Sequence, residues 1–243
     1  MTAPVFLCDG ASLGSDRIEL SGPEGRHAAT VRRLRPGEQA ELTDGFGLVA
    51  SCVVASVAGG VVTFDVLSRR REEVPSPSLT VVQALPKGDR GELAVETMTE
   101  AGVDAIVPWA AEHCVVQWRG DKVSRGVSRW RSAAREAAKQ ARRAWLPEVA
   151  SLASTADVTS RIAVAKLAIV LEADADAALS DLPLPSEGEI VLIVGPEGGV
   201  SPGERSEFTA AGAVECRLGP TVLRTSTAAV AAAAVIFSRT SRW

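Results

Sequence analysis

Apolar positions follow two different rhythms along this chain. Up to about residue 73 they come in short β-forming runs, "QAELTDGFGLVASCVVASV" and "GGVVTFDVLSRR", broken by Asp-Gly and Gly-Gly pairs that favour tight hairpin turns. That pattern predicts a small β-rich domain of the barrel kind. "EEVPSPSL", with its two prolines, then reads as a linker, which places a boundary between residues 74 and 75. Beyond it, strand and helix patterns alternate: "LTVVQAL", a helix over "GELAVETMTEAG" ending at Gly102, "VDAIVPW", a long helix around residues 124 to 143, "KLAIVLEA", "IVLIVG", a helix over "PGERSEFTAAG", "AVECRLG", and a last helix from about Ser226. Such alternation predicts an α/β domain over residues 75 to 243, a parallel sheet covered by helices, with ligands beyond the carboxyl ends of the strands.

Composition narrows the class. The chain has 243 residues, 46% of them apolar, enough for a sizeable core in one large or two modest domains. "AAVAAAAVIF" is too short and too alanine-rich for a membrane span and reads as a packed helix. "MTAPVFLCDG" lacks the basic-then-apolar order of a signal peptide, so a cytoplasmic protein with no membrane attachment is expected. Cys8, Cys52, Cys114 and Cys216 lie far apart, and only His27 and His113 could join them, so no metal site and no disulfide framework is predicted.

Charge is unevenly spread. The net charge is −4, yet Lys122 to Arg143 holds eight basic residues against one acid, Glu136. Arg131, Arg135, Lys139 and Arg142 fall at helical spacing, a stripe with Arg143 beside it. A solvated face usually mixes both signs, so this run predicts a phosphate-binding face. Arg26, His27, Arg32, Arg33 and Arg35 make a second basic cluster in the β-rich domain. Trp109, Trp118, Trp130 and Trp145 are read as packing residues in preference to base-stacking ones.

The most informative stretch is Val194-Gly195-Pro196-Glu197-Gly198-Gly199, where a buried strand stops at glycines without the Lys-Ser or Lys-Thr of a phosphate loop. Some twenty residues later Leu218-Gly219-Pro220 opens a second such turn, running through Leu223, Arg224 and Thr225 into a helix. Two strand ends of this type can line a pocket for a flat, uncharged ring.

Taken with "HAATVRRLRPGE", "KGDR", "TEAGV" and "EAAKQARRAWLP", these two loops resemble the SPOUT methyltransferases. Within that class the likeness is to the branch that methylates uridine N3 in 16S ribosomal RNA, and it covers nearly the whole chain. The resemblance implies a C-terminal parallel sheet with a deep trefoil knot, a PUA-like β-barrel at residues 1 to 74, a homodimer, S-adenosyl-L-methionine as cofactor, and 16S rRNA or the small ribosomal subunit as partner.

Carried over by position, Val194, Gly195, Pro196, Glu197, Gly198, Gly199, Leu218, Gly219, Leu223 and Thr225 are the implied cofactor residues, acting largely through backbone. Arg224 is the candidate for stabilising a uracil anion, with Glu197 a second catalytic candidate; the alternative for Arg224 is a loop-holding pair with Glu197. Lys87 and Arg90 of "KGDR", together with Gln140, which stands in a Gln-x-x-Arg-x-x-x-Pro pattern, join the two basic clusters as implied RNA contacts. Ser226 stands where many relatives carry Glu, so no carboxylate role transfers there. Two other functions stay open on the residues alone: a SPOUT enzyme acting on a ribose hydroxyl or a tRNA base, and an RNA-binding assembly factor without catalysis.

Overall fold

The computed structural model describes residues 3 to 243. They divide into two compact units, one reaching to Val74 and taking in Ala138–Leu146, the other comprising Pro75–Ala137 and Pro147–Trp243. The return of residues 138 to 146 to the first unit departs from an expected single cut at 74/75.

The first unit is built on five strands, β1 (Val5–Leu7), β2 (Arg17–Leu20), β3 (Gln39–Thr43), β4 (Leu48–Ala58) and β5 (Val61–Arg71), with a short helix α1 (Gly22–Arg26) continuing into a π-helical turn at His27–Val31. The sheet order is β1-β3-β4-β5-β2, parallel between β1 and β3 and antiparallel elsewhere. As hydrogen-bonded, it is an open sheet with β1 and β2 at its edges. Alternation works as the sequence suggests: the inward set Ala50, Cys52 and Val54 of β4 meets Phe6, Ile18, Leu42 and Phe64 in one apolar core.

In the second unit the strands are β6 (Ser78–Ala84), β7 (Ala105–Trp109), β8 (Glu148–Val149), β9 (Leu167–Leu171), β10 (Glu189–Val194) and β11 (Val214–Cys216). Every pairing is parallel, in the order β11-β9-β10-β6-β7-β8. Strands buried on both faces need continuous apolar runs, and Ile190 to Val194 at the centre supplies one. The connecting helices are α2 (Arg90–Ala101), α3 (Asp121–Gln140), α4 (Thr155–Val164), α5 (Pro202–Ala210) and α6 (Thr225–Ser238). Ser154 and Ser201 start α4 and α5 with capping boxes closed by Asp157 and Glu204. Four of the six alanines of α6 (Ala228, Ala229, Ala232 and Ala233) are buried, and the helix packs on α2, β6 and β10. Among the described residues no helix is long and apolar enough to cross a membrane.

The basic helix ends earlier than expected. It stops at Gln140, and Arg142 takes a left-handed conformation with φ 57°. Arg143 N–H donates to Ala138 O at 2.9 Å and Arg142 N–H to Lys139 O at 3.2 Å, the two bonds of a Schellman stop. Arg142 therefore leaves the helical stripe, and its guanidinium donates to Glu41 at 2.9 Å. Lys139 is buried, and its Nζ meets Glu24 Oε1 at 3.1 Å. These two residues, expected on a phosphate-binding face, are ion-paired within the first unit by acids about a hundred positions away in sequence.

Candidate functional site

Three strand ends converge on one cleft in the second unit. In the sheet, β9 lies between β11 and β10, and the registers Val194 with Leu171 and Cys216 with Leu171 bring their carboxyl ends level. The segments that leave β10 and β11 form two walls, Val194–Glu197 with Gly199 and Val200, and Leu218–Gly219 with Thr221–Thr225. Leu171, Glu172 and Ala173 from β9 lie between them, enclosing about 290 Å³.

The glycine wall is tight by construction. A Cβ on Gly195 would lie 2.8 Å from Val200 Cγ2, and Gly199 has φ +75°, so side chains are excluded at one position by space and at the other by backbone. Beyond the loop, Ser201 caps α5, and buried Glu204 ties that end down. Its carboxylate accepts from Ser201 N–H at 3.1 Å, Glu112 N–H at 2.9 Å and Thr155 Oγ1 at 3.0 Å. The other wall is held where fully buried Gln83, near the end of β6, donates from Nε2 to Thr225 O at 3.3 Å.

Nine of the ten residues expected to contact a cofactor line this cleft, as does Arg224; Gly198 does not. Gly198 instead faces His113, whose Nδ1 lies 3.1 Å from Gly198 O and 3.2 Å from Gly199 O. Both partners are acceptors, so Nδ1 carries the proton and donates to the loop. Sequence reasoning set His113 aside because no motif surrounds it.

Arg224 is the N-cap residue of α6 and its side chain is exposed at the cleft. The expected alternative, a pair with Glu197, is not formed: Glu197 Oε1 accepts from Lys87 N–H at 3.1 Å, and no ion pair involves Arg224 among the described residues. Ser226 is buried in the first turn of α6. Glu172 is the residue sequence reasoning missed. It ends up at the cleft because β9 sits between β10 and β11, a strand order that the linear chain does not reveal.

The basic residues separate into distinct surroundings. His27, Arg32, Gln140 and Arg142 border a polar recess of about 170 Å³ in the first unit, with Lys139 at its base. Arg26, Arg33 and Arg35 are exposed in the same unit. In the second unit Lys87, Arg90, Arg131 and Arg135 are exposed, Arg131 donating from Nε to Val149 O at 3.0 Å. Trp109 and Trp130 are almost fully buried, consistent with packing. No group of side chains among the described residues could hold a metal ion.

Comparison with known proteins decides the family. Residues 72–237 match the family model described as an RNA methyltransferase domain, and residues 20–66 match the RNA methyltransferase PUA domain. Over 247 aligned residues, all of this chain and 94% of the relative, it is 47% identical to ribosomal RNA small subunit methyltransferase E of Mycobacterium bovis. The chain belongs to the ribosomal RNA small subunit methyltransferase E family.

Within that family, the Bacillus subtilis protein is 30% identical, over 92% of this chain and 90% of its own. A solved structure of the Neisseria gonorrhoeae family member, bound to S-adenosyl methionine, superposes with a TM-score of 0.85 at 26% identity, covering 98% of both chains. A methyltransferase from Legionella pneumophila, also with bound cofactor, gives 0.88 at 28% identity over 99% of both. The chain is thus an RNA methyltransferase with an N-terminal PUA-like domain.

Proposed function

We propose that this enzyme transfers the methyl group of S-adenosyl-L-methionine to N3 of a uridine in 16S ribosomal RNA, working as a homodimer whose second unit is threaded into a trefoil knot. The observation that carries the reading is the cleft itself, in which two backbone-rich walls from β10 and β11 face each other with an arginine at the rim. The residues fit the cofactor. Apolar Val194, Leu218 and Leu223 suit a flat adenine ring, and backbone groups of the glycine wall supply hydrogen bonds without side-chain bulk. The homodimer and the knot rest on family membership.

When bound, S-adenosyl-L-methionine supplies an electrophilic methyl group. The protein has to present an unpaired base and favour its N3 anion, because N3 of a paired uracil carries a proton and lies within the stack. Arg224, exposed at the cleft and seated at the positive end of α6, stabilises that anion as it develops. Glu197 orients the loop that carries Lys87. The basic residues of both units hold the RNA backbone, the exposed Arg32, Arg33, Arg131 and Arg135 among them. The deciding experiment is methyl transfer to 16S rRNA and to small subunits from cells lacking this protein, followed by nucleoside mapping. Methylation at a ribose hydroxyl or in tRNA would overturn the assignment.

Two further outcomes are expected. Gly195→Val places its Cβ against Val200 and displaces the glycine wall; overpacking of this kind costs about 1–3 kcal/mol of stability, and cofactor affinity by calorimetry should fall while the fold is retained. Undiminished binding by the folded variant would remove the glycine wall from the cofactor site. For RNA, neutralising Arg131 and Arg135 together should flatten the salt dependence by about 0.7–0.9 log units per lost phosphate contact. An unchanged slope would make that face a solvated one.

A further inference from the structure

Glu172 lines the cleft and carries a carboxylate oxygen with no hydrogen-bond partner among the described residues. Glu172 follows β9 directly, held by its own N–H donating to Cys216 O at 3.0 Å, and its side chain is only 13% exposed. One carboxylate oxygen lies 3.9 Å from Arg205, whose guanidinium is already committed to Glu215 at 2.8 and 2.5 Å. The other, Oε1, is fully buried and has no hydrogen-bond partner among the described residues. A buried carboxylate oxygen without a donor is costly to keep, so such atoms point to a missing partner. Burial pushes the Glu172 carboxyl up from its ordinary range.

The position of Glu172 says what that partner is. The two walls follow β10 and β11, and β9 lies between those strands, so a ligand reaching from wall to wall crosses the end of β9. S-adenosylmethionine is a linear assembly of adenine, ribose and methionine. Its middle group is the ribose, which carries two hydroxyl donors. A carboxylate has the acceptor geometry for such a diol. We propose that Glu172 is a cofactor-anchoring residue whose unpartnered oxygen accepts from the ribose hydroxyls. This rests on the cofactor reading given above.

Calorimetric titration of the full chain with S-adenosylhomocysteine and with its 2′-deoxy and 3′-deoxy counterparts tests it without reference to turnover. The wild type is expected to bind S-adenosylhomocysteine and to lose affinity when a hydroxyl is removed. Glu172→Ala should lose about 10- to 100-fold towards S-adenosylhomocysteine, the span of a hydrogen bond to a charged group, and should no longer distinguish ribose from the deoxyriboses. Glu172→Gln, of the same shape with a neutral acceptor, should lose less, and it preserves the test if the alanine variant unfolds. Variants that bind like the wild type, or that lose affinity equally for the ribose and deoxyribose compounds, overturn the Glu172 assignment while leaving the cofactor reading intact. A wild-type protein that binds none of the three overturns both.

Discussion

Arg224→Ala is expected to bind S-adenosylmethionine within a few-fold of the wild type while its single-turnover methylation rate falls about 100- to 1,000-fold, the range seen when a donor to a developing anion is lost. The expectation follows from where the side chain is and what it does not do. Arg224 lines the cleft, its side chain is exposed, and the helix contacts it makes are through its backbone: its carbonyl accepts from Thr227 N–H and Ala228 N–H, both at 2.9 Å. Removing the guanidinium leaves those bonds in place, so α6 should still start at Thr225. A fixed positive charge lowers the cost of an adjacent uracil anion, and the N-terminal end of α6 adds to the same field. Arg224→Lys keeps the charge but not the planar fork, so its rate should lie between the two. The measurement is single-turnover transfer at saturating cofactor beside calorimetric affinity. A parallel fall in both would assign Arg224 to holding the loop, and a near-normal rate in Arg224→Ala would remove it from the chemistry.

How far the chain could be read in advance depended on whether the deciding information was local. The strand Ile190 to Val194, the α2 helix stopped by Gly102 and the two glycine-proline turns announce themselves over a few residues, because backbone conformation and burial act at short range. The two walls of the cleft were legible for the same reason. His113 and Glu172 were not. Each reaches the cleft region only because one particular strand or loop lies beside another, and neighbouring strands in a parallel sheet leave no trace in adjacent sequence. The basic helix shows the converse error. Counting charges from Lys122 to Arg143 found almost no acids, yet the partners come from afar: Glu24 for Lys139, Glu41 for Arg142, and Glu92 for Arg129 at 3.4 Å. Charge balance along a segment describes a surface only when the segment's partners are also its sequence neighbours.

Lys139 provides the second large effect, on stability and not on catalysis. Its side chain is 4% exposed, and its Nζ pairs at 3.1 Å with Glu24, whose side chain is 13% exposed. Glu24 also accepts from Leu7 N–H at 3.4 Å, so the pair sits where β1 meets α1. Desolvation offsets much of the attraction in such a pair, and the pair as a whole adds little to stability. Removing one member is different, because the other stays buried and charged without that ion pair. Lys139→Met should therefore lower the stability of the first unit by about 3 kcal/mol, the lower end for a broken buried pair, since Glu24 keeps some access to water. Glu24→Gln alone should also destabilise, and the double variant Lys139→Met with Glu24→Gln should recover a large part of the loss, because both charges of the pair are then gone. Urea unfolding followed by a probe confined to the first unit would read these differences as shifts of midpoint. The same folded variants separate this role from RNA binding: the salt slope for RNA should be unchanged in the double variant, whereas Arg131 and Arg135 should alter it. If Lys139→Met unfolds at the wild-type midpoint and flattens the salt slope, the lysine reaches out to phosphate and the buried pair does not persist in solution.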